Sequence, residues 1–177
     1  MRQLHLASWC KAAAFMAVGM MFNSSCKEED KVLPDYTGTW VTVETIASGG
    51  KYVQVKDIRT FTETGFTELV QKQLSSDQWI DYVSVKGTLS VYGDMMNVTV
   101  TEMGASSYSM VTNLPTGVIT FYKKGTSEFD VLISQLDQPK TFESKFSVSG
   151  NKMIIQTDLN SDGDYLDEME TSVYTKQ

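Results

Sequence analysis

Four polar residues near the C-terminal end have the types and spacing of a cation site. In the run DLNSDGDYLDE, residues 158–168, Asp158, Asn160, Asp162 and Asp164 occupy positions 1, 3, 5 and 7 of a calcium loop, with Gly163 at position 6 where the chain must turn sharply. Position 12, where a bidentate Glu belongs, is Met169. The same residues suit a plain hairpin turn, because Asn, Asp and Gly tolerate left-handed dihedrals and make local side-chain bonds. Calcium is therefore the one cofactor the sequence offers.

Other chemistry is narrowed by what the chain lacks. Its single histidine is His5, and its two cysteines are Cys10 and Cys26. Residues 1–11 carry Arg2 and Lys11 with no acid, and residues 12–22, AAAFMAVGMMF, form an uncharged apolar run. That is a signal-peptide layout, and the run is too short to cross a bilayer core of roughly 30 Å. A leader spanning residues 1–25 would remove His5 and Cys10 and leave a mature chain of 152 residues, the size of one domain. With no histidine and no free thiol, Ser-His-Asp and Cys-His catalysis and His-ligated zinc all drop out. The formal charge moves from −7 to −9, because the leader takes two cations and no acid. Such a chain has no clustered cations with which to bind nucleic acid.

From Tyr36 onward the sequence is dense in Thr, Val, Ile, Tyr and Phe, and Gly, Asn, Asp and Ser clusters interrupt it about every ten residues. This predicts an antiparallel meander of short hairpins with no sustained helical period. Residues 113–117, NLPTG, read as a non-strand link near the middle. The segments on either side resemble each other: LSVYGDMMNVTV at residues 89–100 matches FSVSGNKMIIQT at residues 146–157 at a constant offset. A repeated meander hides its edges best by closing into a barrel.

Alternation then assigns faces. Phe142, Phe146 and Val148 share one side; Phe129, Val131 and Ile133 read as a strand in the same way, and Met169, Thr171 and Val173 read as the inward set of the last strand. In the first half the apolar anchors bring charge with them. Trp40 carries Glu44 on its face, Phe61 carries Asp57 and Arg59, and Phe66 carries Glu68. Either bulges shift the register there, or these groups face a wet interior, with Arg59 pairing a neighbouring acid.

Two resemblances follow from these residues. Ser24-Ser25-Cys26, with Asn23 where a Leu is usual, resembles the relaxed lipobox of Bacteroidota lipoproteins, and Lys27-Glu28-Glu29-Asp30 resembles their surface-export signal. The likeness implies acyl chains on Cys26, an acidic tether over residues 26–35, and display on the outer face of the outer membrane. Tyr36-Thr37-Gly38-Thr39-Trp40 resembles the Gly-x-Trp entry of lipocalins and the wider calycin group, and residues 36–177 resemble lipocalin-like lipoproteins of Bacteroidota. This implies an all-β, lipocalin- or calycin-like barrel of about eight strands, with Trp40 at its closed base. An arginine packs over the tryptophan in lipocalins; no Arg follows Arg59 here, and Lys176 is the available substitute.

The expected function is thus binding of a small apolar or amphiphilic ligand in a cavity framed by Trp40, Glu44, Asp57, Arg59 and Glu68. The alternative is a filled barrel acting as a protein- or glycan-interaction module in a surface complex. A carboxylate glycosidase using Glu44 and Glu68 ranks last, since it needs two acids about 5–9.5 Å apart across a cleft and nothing in the sequence fixes their distance. The chain is read as a non-enzyme.

Overall fold

β-branched runs and turn residues alternate from Gly38 onward, and the computed structural model follows them. It describes residues 34–177 apart from 49, 50, 76, 113, 137, 138, 159–162, 164 and 166–169. The described residues form strands β1 Gly38–Ser48, β2 Lys51–Phe61, β3 Gly65–Ser75, β4 Gln78–Tyr92, β5 Met95–Tyr108, β6 Pro115–Lys123, helix α1 Ser127–Gln135, then β7 Thr141–Ser149, β8 Lys152–Gln156 and β9 Thr171–Lys176.

Every pairing is antiparallel, and the sheet closes on itself. The order runs β4-β3-β2-β1-β9-β8-β7-β5, and β4 pairs back onto β5. Eight strands therefore form the closed antiparallel barrel expected of a lipocalin- or calycin-like chain. β6 stands beside the ring as a ninth strand. The long β5 shares one edge between two partners: Met95 to Thr99 pair with β7, and the stretch from Glu102 onward pairs with β6. α1 carries the chain from β6 back to β7.

The repeated segments form equivalent hairpins. Val91 faces Met96 in one and Val148 faces Met153 in the other. Each turns on a glycine in the left-handed region, Gly93 at φ 63° and Gly150 at φ 61°, where any side chain would be strained. The two copies also abut, because Met96 pairs with Ser144 and Phe146 N–H donates to Asp94 O at 2.8 Å.

The base of the barrel is built from large buried side chains. Trp40, Phe61, Phe66, Met96, Val98 and Met153 are buried there. Tyr36 meets Phe146 edge-on at 5.8 Å, and Phe66 meets Phe142 edge-on at 5.7 Å. Such contacts add about 0.5–1.5 kcal/mol each beyond area burial. Trp40 Nε1–H donates to Tyr36 O at 2.8 Å, and Lys176 Nζ lies 5.0 Å from the centre of its ring. Lys176 thus takes the place over the tryptophan that the sequence suggested.

Three expectations are corrected. The segment around Phe129, Val131 and Ile133 is helical. Phe129, Leu132 and Ile133 are buried while Val131 is 54% exposed, so the 3.6-residue period prevails over the alternation that the same residues also satisfy. Thr126 decides the matter locally, since its Oγ1 caps the helix by accepting from Phe129 N–H, and Glu128 and Asp130 favour the positive first turn. Second, the NLPTG link is shorter than read, because β6 begins at Pro115, a strand position that tolerates proline. Third, β9 is turned over: Tyr174 and Glu170 are buried and Val173 is 49% exposed. Met169 lies outside the described residues. The first half needs no correction. Register is continuous from Gly38↔Phe61 to Ser48↔Lys51 and from Phe61↔Phe66 to Val55↔Lys72, so no bulge turns the charged residues outward.

Candidate functional site

Strand register brings four polar side chains together inside the barrel. Arg59 on β2 lies directly opposite Glu68 on β3 and opposite Trp40 on β1. Asp57 is two residues before Arg59 and shares its face. Tyr174 reaches in from β9, on the same face as Lys176. Arg59 Nε donates to Asp57 Oδ2 at 3.0 Å and to Glu68 Oε1 at 3.0 Å, and its Nη2 lies 2.8 Å from Glu68 Oε1. Tyr174 O–H donates to Asp57 Oδ2 at 2.6 Å, while the Arg59 guanidinium lies 5.0 Å from the centre of the Tyr174 ring. The three charged side chains are 14–19% exposed.

Burial and mutual charge set the protonation of this group. Burial alone would lower the Arg59 pKa, but Glu68 and Asp57 outweigh it, so the guanidinium is held charged more firmly than usual. Burial raises Glu68 above the ordinary carboxylate range; Arg59 opposes the rise and Asp57 adds to it. Burial also raises the Tyr174 phenol, against Arg59 and with Asp57, so it stays a donor at neutral pH. Asp57 Oδ1 is buried without a hydrogen-bond partner, the one such side-chain atom among the described residues. An unmet acceptor of that kind costs free energy comparable to a lost hydrogen bond.

Two recesses flank Arg59. The larger, about 420 Å³, has Val70, Val83, Val85 and Phe142 as apolar walls and Arg59 and Glu68 as polar ones, with Leu136 and Pro139 beyond the end of α1. The smaller, about 190 Å³, is bounded by Glu44, Val55, Asp57, Arg59, Ser172 and Tyr174. A wider hollow of about 800 Å³ lies at the other end, around Gly38, Phe61 and Lys176, and touches none of these charged groups.

Of the cavity residues expected from sequence, Asp57, Arg59 and Glu68 meet in one network. Glu44 is exposed and edges the smaller recess, where its Oε1 accepts from Ser172 O–H at 3.3 Å. Trp40 closes the base and borders neither recess. Glu44 and Glu68 border different recesses, with Arg59 between them. Tyr174, and Tyr82 on the wall of the larger recess, carry no assignment from the sequence. A signal for Tyr174 existed, because placing Lys176 over Trp40 also puts Tyr174, two residues earlier, on the inner face.

Asn160, Asp162 and Asp164 lie outside the described residues, as do Cys26, Lys27, Glu28, Glu29 and Asp30. Asp158 Oδ2 accepts from Gly163 N–H at 3.0 Å, the local bond of an Asp-initiated turn. Among the described residues no group of three or more His, Cys, Asp or Glu is placed to hold a metal, and no helix is long and apolar enough to cross a membrane. No protein-family model matches this chain, and no curated protein matches it.

Proposed function

We propose that this chain is a lipid-anchored, lipocalin-like barrel that holds a small amphiphilic molecule in its lumen. The observation that carries the reading is the larger recess, about 420 Å³, with aliphatic and aromatic walls and an ion-paired polar side at Arg59 and Glu68. Small-molecule sites run from about 300 to 1,000 Å³ and combine apolar lining with a few fixed polar groups. This recess lies in the half of the lumen where Arg59 and Glu68 lie, away from the hollow around Gly38, Phe61 and Lys176. Cys26 would hold the domain at a membrane, and a stable hold requires two or more acyl chains.

Val83→Trp tests the reading by filling the recess from its own wall. Native mass spectrometry of protein purified from its host is expected to show a bound small molecule, and the filled variant is expected to lose it while keeping its melting temperature. Retention of the molecule by the variant would place binding elsewhere.

A further inference from the structure

The β2–β3 ladder stops at Val55↔Lys72, although β1 and β2 stay in register out to Ser48↔Lys51 and β3 and β4 go on to Gln73↔Trp79. β2 and β3 therefore part at this end, where the β3–β4 register also shifts between Gln73 and Ser75. The gap is a notch of about 430 Å³ whose polar groups come from Thr45, Tyr52, Gln54, Gln73 and Ser75. Val53 and Leu74 complete its walls, and all seven residues are uncharged. Asp57 and Glu68 face the lumen, so alternation puts Tyr52, Gln54 and Gln73 on the outer wall of the barrel. The notch shares no residue with either lumen recess. It lies at the end away from Pro34, because β1 leaves the base at Gly38 and β2 starts at the opposite end. Beside it the Tyr52 side chain is 85% exposed.

We propose that this notch binds an uncharged saccharide, with one sugar ring laid against the Tyr52 ring and its hydroxyls bridging Gln54 and Gln73. The site is independent of the lumen-binding reading. Exposure alone does not mark Tyr52, because Tyr92 at the β4–β5 turn is 90% exposed as well. Its neighbours do. A sugar ring has an apolar face of C–H groups and a rim of hydroxyls, each of which both donates and accepts. An open aromatic ring covers the first, and a carboxamide, with N–H donors beside an acceptor oxygen, meets adjacent hydroxyls at once. The hydroxyls of Thr45 and Ser75 extend the same chemistry. Stacking falls to Tyr52 because Trp79, across the ladder from Gln73, already carries Lys56 Nζ 4.2 Å from the centre of its ring. A charged headgroup finds no counter-ion among the seven lining residues. An apolar ligand would take water from five hydrogen-bonding side chains and return nothing.

The test is chemical-shift mapping on the isotope-labelled protein, titrated with maltotriose, cellotriose, xylotriose and mannotriose as neutral saccharides, trigalacturonic acid as a charged one, and decaproline as a peptide. At least one neutral trisaccharide is expected to bind in the millimolar range, with shifts centred on residues 52–54 and 73–75. Tyr52→Ala is expected to weaken that binding at least about tenfold, while Tyr52→Phe, which keeps the ring, binds as the parent does. Gln54→Ala is expected to weaken it as well, and both residues sit at the surface end of their strand, so melting temperatures should hold. Val83→Trp, which fills the larger lumen recess, is expected to leave saccharide binding unchanged, so the two sites fail separately. Absence of shifts at these residues with every neutral trisaccharide overturns the proposal. So does preferential binding of trigalacturonate or decaproline there, or a Tyr52→Ala variant that binds like the parent.

Discussion

Arg59 and Glu68 are direct partners across the β2–β3 ladder, with Arg59 Nη2 2.8 Å from Glu68 Oε1, so the barrel's own register builds its internal ion pair. No loop has to fold onto the site to form it. The pair is as rigid as the two strands that carry it, and its energetics can be tested one side chain at a time.

Arg59→Ala leaves Asp57 and Glu68 together without their cation. Removing one partner of a buried pair costs about 3–5 kcal/mol, and partial exposure puts this case near about 3 kcal/mol. Urea unfolding at pH 7 measures it, and the deficit should shrink at acid pH as Glu68, whose pKa burial raises, takes up a proton. A loss below about 1 kcal/mol, the value of a surface pair, would show that solvent screens the network.

Glu68 has a folded-state pKa above its ordinary value, so its contribution to stability is present below the unfolded pKa and is lost as pH rises through the folded one. Glu68→Gln removes that ionisation and keeps an oxygen for Arg59. Against the parent, the variant should gain relative stability from acid to neutral pH, read as a flatter dependence of the urea midpoint on pH. Parallel curves for the two proteins would refute the raised pKa.

Tyr174→Phe keeps the ring beside Arg59 but takes away the O–H that Asp57 accepts. Leaving a buried carboxylate one donor short costs about 1–3 kcal/mol. The measurement is thermal or urea unfolding, and a variant as stable as the parent would mean that water replaces the hydroxyl.

Cys26→Ala tests the proposed anchor. Expressed with its leader in a Bacteroidota host, the parent should partition with membranes and carry acyl chains, and the variant should be soluble or remain an uncleaved precursor. Separately, replacing Glu28, Glu29 and Asp30 by Ala should leave acylation intact and protect the protein from protease added to whole cells. Unchanged membrane partition of the Cys26 variant counts against lipidation there.

Legibility in the sequence followed the strength of the local pattern. Trp40, Phe61 and Phe66 are large and alternate with polar residues, so one inward anchor on each of three strands fixed the faces of Asp57, Arg59 and Glu68. The last strand lacked such contrast: Thr171 and Val173 look more apolar than Ser172, yet Tyr174, wanted by Asp57, turned the strand the other way. The segment Ser127–Gln135 carried two periods at once, and a capping threonine outside it decided between them. Recess walls such as Tyr82 and Leu136 were invisible for a different reason. They come from a bulged part of β4 and the end of a helix, and only tertiary packing brings them beside Arg59.

The seam of the ring has a kinetic consequence. β1 and β9 are in register only at Trp40↔Lys176 and Val41↔Thr175, partners 136 and 134 positions apart. Most other ladders join near neighbours in sequence and can assemble early, as a curled sheet with two long unpaired rims. Ring closure bears the largest loop-closure entropy and should set the folding rate. Until it happens, the rims of β1 and β9 are templates for strands of other molecules. Refolding yield should therefore fall with protein concentration, even under conditions where the closed barrel, once made, is stable.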